Sequence, residues 1–289
     1  MSEGASRPLQ RLLTQLALDQ MDRDLFLGDP GKGAGRLFGG LVAAQSVVAA
    51  YRTVESGFLH SLHAYFLRPG SHAVPIRYVV YRIRDGRTFT TRDVVAYQSG
   101  EAIFNLSCSF TRPEEGVSRQ EPMPEAPDPE GLPEWEIVRP DAHEDAERVR
   151  RWIRESPVEA RSGDAEDGRP STAAYQRRVW MRVKGILPED PALHAALMAY
   201  ASDRGLISTA RLAHGASRSG FAASLDHTIW FHRPPRFDDW LLFTSRSPIA
   251  HGARALILGG VYRRDGTHVA TIAQEGLIRS GRAAGESDS

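Results

Sequence analysis

Residues 39–51 read GGLVAAQSVVAAY, a run of small and aliphatic side chains broken only by Gln45 and Ser46. Apolar residues recur almost continuously as far as Val54, and a helix that is hydrophobic all round is a buried one. The period then changes. FLHSLHAYFL (58–67), PIRYVVYRI (75–83), TFTTRDVVAY (88–97) and AIFNLSCSF (102–110) alternate or are rich in β-branched and aromatic residues. RPGS, RDGR and QSGE lie between them as turns. The first 110 residues therefore predict one buried helix followed by hairpin-connected antiparallel strands.

The same order recurs. YQRRVWMRVKG (175–185) is strand-like and DPALHAALMAYASD (190–203) is an apolar helix. Strands follow at FAASLDHTIWFH (221–232), WLLFTSRS (240–247), RALILGGVY (254–262) and HVATIAQEGLI (268–278). AYFLRPG at 64–70 lines up with IWFHRPP at 229–235, and Gly86 and Gly100 fall 166 residues before Gly252 and Gly266. Two copies of a helix-then-strands unit point to a duplicated fold. Between them, RPEEGVSRQEPMPEAPDPEGLPE (112–134) is too rich in Pro and Glu to form a packed element. HEDAERVRRWIRES (143–156) predicts a short surface helix, and EARSGDAEDGRPS (159–171) is loop again. The expected organisation is an N-terminal unit over 1–112, a linker over 113–156 and a C-terminal unit over 157–289.

The totals restrict the partners. Lys+Arg and Asp+Glu both number 36 in 289 residues, so net charge gives no reason to expect nucleic acid or a membrane surface. No apolar stretch approaches the ~20 residues of a membrane span, and the N-terminal MSEGASRPLQRLL lacks the basic-then-apolar pattern of a secretory signal. Cys108 is the only cysteine, which excludes an internal disulfide and suits a reducing compartment. The expectation is a cytoplasmic protein with no nucleic-acid or membrane partner. The only lysines are Lys32 and Lys184, so an anionic ligand would meet guanidinium groups, which match phosphate geometry.

GDPGKGAGRLFGG (28–40), just before the first helix, raises the question of a phosphate loop. A Walker A motif needs Ser or Thr after the Gly-Lys pair, and Gly31-Lys32 is followed by Gly33. A dinucleotide fingerprint needs a third glycine, and Gly33-Ala34-Gly35 is followed by Arg36, Leu37 and Phe38. Both fail. The plain reading is a flexible approach to a helix whose glycines allow close packing. The sharper one is that Gly39 and Gly40 expose backbone N–H groups at a helix N-terminus, aimed at a developing negative charge.

RLFGGLVAAQSVVAA, LHSLHAYFLRPG, IRDGRTFTTRDVVAYQSGEAIF, RRVWMRVKG, AYASD, LDHTIWFHRP and AQEGLIR, in this order from about Leu12 to Arg279, resemble the acyl-CoA thioesterase II family. The resemblance breaks only in the linker. It implies an α+β double hotdog, in which a long helix is wrapped by a curved antiparallel sheet, twice per chain. It also implies hydrolysis of acyl-CoA to free fatty acid and CoA, with no cofactor. The family places an Asp, a Ser or Thr, and a Gln around one nucleophilic water. The Asp of its YASD motif matches Asp203, the hydroxyl two residues before the Asp of DHxxWFHRP matches Ser224, and the Gln of QEG matches Gln274.

Those residue types suit the chemistry. A thioester carbonyl is a good electrophile, so a positioned, partly deprotonated water suffices. A carboxylate takes the water's proton, while a hydroxyl and an amide fix its line of attack. Asp203 on an otherwise apolar helix is expected to be desolvated, which raises its pKa. Taken singly, each residue has a plainer reading: Asp203 as a solvated helix residue, Ser224 as strand packing, Gln274 as a strand-end amide. Only the trio together is informative.

Other arrangements are weaker. His60, His63, His227, His232 and His251 suggest Ser–His catalysis, but no G-x-S-x-G elbow exists, because GASRS (215–219) has Ser219 where the last glycine belongs. No HExxH and no cysteine pair is present, so no metal site is expected. Cys108 reads as a buried core residue. Arg68 and Arg233, in the matched F-x-R-P turns, either contact CoA phosphates or pin their turns. Two alternatives stand beside hydrolysis: a hotdog hydratase or dehydratase, for which Asp226 and His227 superficially supply an Asp–His pair, and a non-catalytic acyl-CoA-binding protein. Aligning the halves puts Leu59 opposite Ser224 and Cys108 opposite Gln274, with Gln45 the nearest polar counterpart of Asp203. One site per chain is therefore expected, the first unit serving as structural partner, in a homo-oligomer of double-hotdog chains.

Overall fold

The computed structural model describes residues 4–33, 35–134, 151, 153–162, 176–216 and 220–279. The first half contains α1 (Arg7–Leu16), β1 (Asp19–Asp22), β2 (Leu25–Gly28), α2 (Gly39–Tyr51), β3 (Phe58–Phe66), β4 (Ile76–Asp85), β5 (Phe89–Gln98) and β6 (Glu101–Thr111). The second contains β7 (Val158–Arg161), β8 (Gln176–Val183), α3 (Pro191–Ser202), α4 (Leu206–Ala213), β9 (Ala222–Ser224), β10 (Asp226–Phe231), β11 (Leu241–His251), β12 (Arg254–Arg263) and β13 (His268–Ile278). Of the helix expected over 143–156, Arg151 and residues 153–155 are helical; the rest of that stretch, and most of the loop over 159–171, lie outside the described residues.

All strands join one antiparallel sheet of order β1-β2-β4-β5-β6-β3-β10-β13-β12-β11-β8-β7, with β9 paired to β13. The order β2-β4-β5-β6-β3 in the first half is repeated as β8-β11-β12-β13-β10 in the second, which is the hotdog arrangement twice. The duplication extends to single hydrogen bonds. The N–H groups of Leu67 and Arg68 both donate to the Ile103 carbonyl, as those of His232 and Arg233 both donate to Val269. The halves meet along β3 and β10, where His63 faces Thr228. Those two residues are themselves counterparts, so the pseudo-twofold axis passes between them, as in an isologous dimer.

The two central helices lie together inside the sheet, where nearly every residue of α2 from Gly40 to Ala50 is buried. Their small side chains permit close approach: a Cβ on Gly40 would lie 2.5 Å from the Tyr200 carbonyl oxygen of α3. The sequence reading did not include α1, an amphipathic helix capped by Ser6, whose hydroxyl accepts from the Leu9 N–H, and burying Leu9, Leu12 and Leu16.

The segment 112–134 corrects an expectation. Apart from a single 3-10 turn at Pro129–Gly131 it lacks helix and strand, yet it is packed. Met123, Ala126 and Leu132 cover Trp180, Trp240, Leu242 and Tyr262 on the outer face of the second half. The Trp180 indole donates to the Pro127 carbonyl at 2.8 Å, and Arg264 pairs with Asp128 at 2.6 Å. Partners supplied by the sheet satisfy an extended, proline-rich chain that cannot satisfy itself. Among the described residues, no helix is long and apolar enough to cross a membrane.

Candidate active site

The helix α3 runs from its N-cap Asp190, whose carboxylate accepts from Ala192 and Leu193, to Asp203, which occupies the C-cap position. The chain continues through Ser224 at the end of β9 to Gln274 in the middle of β13. The structure brings these three together. The Ser224 hydroxyl donates to Asp203 Oδ1 at 3.3 Å, and the Gln274 amide donates to Ser224 Oγ at 2.8 Å. Gln274 is fully buried, whereas Asp203 and Ser224 keep partial exposure.

That exposure is to a pocket of about 380 Å³ between the halves. Gly39, Phe66 and Phe104 line it from the first half, and Asp203, Ser224 and Leu225 from the second. On every other side the Asp203 carboxylate meets protein, and desolvation pushes its pKa up to about 7. The hydrogen bonds from Ser224 and from the Gly40 backbone N–H, and the positive charge of Arg204, oppose the rise without cancelling it.

The Gly40 contact has a structural cause. The N-cap of α2 is Phe38, which supplies no side-chain cap, and its first turn contains no acidic residue. Helix starts leave backbone N–H groups without intrahelical partners and favour negative charge. Asp203, from the opposite half, supplies that charge. Of the glycines of residues 28–40, Gly39 and Gly40 serve close packing at this junction, where a Cβ on Gly39 would lie 2.4 Å from the Phe66 ring and 3.0 Å from Asp203 Oδ2.

The arginines separate. Exposed Arg36 and Arg68 line the same pocket. Arg68 also pins its turn through the Ala102 carbonyl at 2.8 Å and pairs with Glu101 at 3.1 Å. Arg233 does not line this pocket. It makes the equivalent turn contact with the His268 carbonyl at 2.9 Å and approaches Ser118 of the interdomain segment. Its position follows from the pseudo-symmetry, which carries the second F-x-R-P turn to the other end of the molecule.

The same symmetry revises the counterpart of Asp203. Gln45 lies in the middle of α2, where its amide donates to the Gln15 and Asp29 carbonyls and its oxygen accepts from Tyr78. The residue at the C-cap of α2 is Arg52. The register places Leu62 beside Cys108, just as His227 bonds Gln274, so the four polar positions of the second half correspond to Arg52, Leu59, Leu62 and Cys108. None can serve as a carboxylate base.

Sequence reasoning placed His227 among histidines that suggest Ser–His catalysis without its elbow, and beside Asp226 as a superficial Asp–His pair. It is fully buried, with Nδ1 2.7 Å from Gln274 Oε1 and Nε2 2.8 Å from the Ser202 hydroxyl. Burial pushes its pKa down to about 4, so the ring is neutral. Asp226 points the other way and accepts the Glu275 N–H at 2.7 Å, as adjacent strand residues must. Among the described residues no group of His, Cys, Asp and Glu could hold a metal ion.

Fold and geometry define a class: a double-hotdog protein with a carboxylate, a hydroxyl and an amide in contact at the seam between its halves. The family model for acyl-CoA thioesterase matches residues 152–277, and that for the acyl-CoA thioesterase N-terminal domain matches residues 29–111. Acyl-coenzyme A thioesterase 8 of Rattus norvegicus is 38% identical, over 92% of this chain and 88% of that protein. Acyl-CoA thioesterase 2 of Haemophilus influenzae is 34% identical, over 94% and 98%. The crystal structure of an acyl-CoA thioesterase II from Mycobacterium marinum superposes with a TM-score of 0.79 at 39% identity, covering 94% of this chain and 99% of that one. The chain belongs to the acyl-CoA thioesterase family and is a thioesterase enzyme.

Proposed function

We propose that the enzyme cleaves acyl-CoA thioesters to a free carboxylic acid and CoA by direct attack of one water held by Asp203, Ser224 and Gln274. The observation that carries this reading is the contact of a desolvated carboxylate, a hydroxyl and a buried amide at the pocket wall. Water adds its oxygen to the carbonyl carbon as Asp203 takes a proton. The carbonyl oxygen becomes an oxyanion, for which Gly39 N–H at the positive end of α2 is the proposed donor, Gly40 N–H being engaged by Asp203. Collapse of the tetrahedral adduct breaks the C–S bond. The departing CoA thiolate then receives the proton from Asp203. Arg36 and Arg68 are the proposed contacts for CoA phosphates, since guanidinium groups pair with phosphate bidentately; Arg233 is not.

Measuring free thiol released from a panel of acyl-CoAs tests the reading against its alternatives. A hydratase alters the acyl chain without releasing thiol, and a binding protein does neither. A hydratase is disfavoured by the geometry, because Asp226 and His227 face opposite sides of the sheet and both are occupied.

Ser224→Ala and Gln274→Ala are each expected to lower kcat roughly ten- to hundredfold, since a lost buried hydrogen bond is worth about 1–3 kcal/mol. Trapping of an acyl-Ser224 intermediate by mass spectrometry would overturn direct attack. The counterpart positions Arg52, Leu59 and Cys108 supply no base, so a tight substrate analogue is expected to saturate at one equivalent per chain. Two equivalents in calorimetric titration would place a second site in the first half.

The remaining features fit a cytoplasmic homo-oligomer. Cys108 is free and buried, as a reducing compartment permits. Tyr65, Tyr81, Ile83, Phe89 and Trp230 are exposed on the first half and its junction with the second. Residues 112–134 cover Trp180, Trp240, Leu242 and Tyr262 on the second half, and no such cover lies over the exposed set among the described residues. A second copy is the proposed cover for an exposed apolar surface of this kind.

A further inference from the structure

The trio contains a gap that its own members close only while Asp203 is ionised. A Gln side chain presents an N–H donor group from one end and a carbonyl acceptor from the other, in nearly the same shape. Turned over, Gln274 would offer oxygen to Ser224 and would have no N–H for the attacking water. Ser224 prevents this only while Asp203 is ionised and claims its proton; once Asp203 has taken a proton from the water, the hydroxyl donates as readily as it accepts. The element that discriminates in both states of Asp203 lies on the far side of the amide, where His227 and Ser202 are buried behind the pocket wall.

We propose that His227, held by Ser202 as the Nδ1–H tautomer, is a positioning residue that keeps the Gln274 amide turned toward Ser224 and the water. The proposal rests on the water site described above. The ionised Asp203 carboxylate only accepts, so Ser224 gives it its single proton across 3.3 Å. Ser224 Oγ must then accept, which it does from Gln274 Nε2 at 2.8 Å. That turns Gln274 Oε1 toward His227, whose Nδ1 stands 2.7 Å away and must carry the hydrogen. A neutral imidazole has one donor and one acceptor, so Nε2 is bare and takes the Ser202 hydroxyl proton at 2.8 Å, in preference to the Ala199 carbonyl at 3.1 Å. Every donor in the chain Ser202, His227, Gln274, Ser224 points toward Asp203. Were the imidazole doubly protonated, Ser202 would return its proton to the Ala199 carbonyl, so the chain described here belongs to the neutral ring.

Sequence position makes the variant informative. The counterpart of His227 in the first half is Leu62, also fully buried in the same strand environment, so His227→Leu places in the second half a residue that the fold already accommodates. His227→Leu is expected to lower kcat roughly ten- to hundredfold, as Gln274→Ala does, with KM changed less than threefold. The double variant should be no slower than Gln274→Ala alone, since both act through one amide. His227→Asn, whose amide nitrogen falls near the position of Nδ1, should recover part of the loss. In the wild-type enzyme at pH 8, 15N-resolved imidazole spectra should show His227 protonated at Nδ1 and bare at Nε2, a readout that depends on no variant.

Protonation at Nε2 instead, a His227→Leu rate within twofold of wild type beside an impaired Gln274→Ala, or multiplicative losses in the double variant would each overturn the proposal. Full activity in Gln274→Ala would overturn the water site itself, and the two failures are thereby distinguished.

Discussion

Asp203→Asn lowers kcat by roughly two to four orders of magnitude, the usual worth of a general base, while the protein folds and still binds acyl-CoA. Asn keeps the shape and loses the proton acceptor. The wild-type pH profile supplies a second, independent signature. A base works only when deprotonated, and burial holds the Asp203 carboxyl up to about 7. Activity is therefore expected to rise with pH through about 7 and level off above it. The residual rate of Asp203→Asn should lack that limb. The stability consequence runs in the opposite direction. A carboxyl whose pKa is higher folded than unfolded, where it is about 3.9, binds more protons in the native state, so its contribution is present at acid pH and lost as pH rises through 7. Asn carries no charge to desolvate, so Asp203→Asn should unfold no more readily than wild type at pH 8. A variant that retained half the wild-type rate, or a wild-type profile flat from pH 5 to 8, would remove Asp203 from the mechanism.

Gly40→Ala is expected to lower kcat/KM about a hundredfold, the effect of displacing a catalytic group by roughly 1 Å, and to destabilise the fold by about 1–3 kcal/mol through overpacking. The new methyl would lie 2.5 Å from the Tyr200 carbonyl oxygen, and backbone of a packed helix cannot swing aside. Relief requires α2 and α3 to separate, which carries the Gly40 N–H away from Asp203. Gly39→Ala is the control, because its methyl meets the Phe66 ring at 2.4 Å. That side chain can rotate, at the expense of the pocket it lines. Thermal unfolding and steady-state kinetics on both variants check the distinction. A Gly40→Ala enzyme with wild-type Tm and rate would show that the helices have slack at this crossing.

The repeat AYFLRPG and IWFHRPP announced the duplication because turn chemistry is local: the same residues make the same pair of backbone bonds in each half. The hairpin glycines were only partly equivalent. Gly100 and Gly266 both adopt positive φ, 84° and 86°, whereas the turn at Gly252 differs from that at Gly86, which lacks a positive φ. Helix α1 was legible in principle, with Leu9, Leu12 and Leu16 at helical spacing after a serine cap. The packing of residues 112–134 was not, since it depends on the tryptophans beneath them.

By itself the sequence determined that the chain is a buried helix followed by antiparallel strands, twice, and which carboxylate, hydroxyl and amide the family motifs mark. Periodicity and motif are properties of neighbouring residues, and neighbouring residues are what a chain specifies directly. Only the tertiary structure decided that the second half's Asp203 supplies the charge for the first half's uncapped helix. It also decided that Arg52, not Gln45, stands at the counterpart position, that Arg233 is carried away from the pocket, and that His227 stands behind Gln274. Each of these depends on where two elements distant in sequence come to rest. That is set by the packing of small-residue helices and by strand register, which no local pattern encodes.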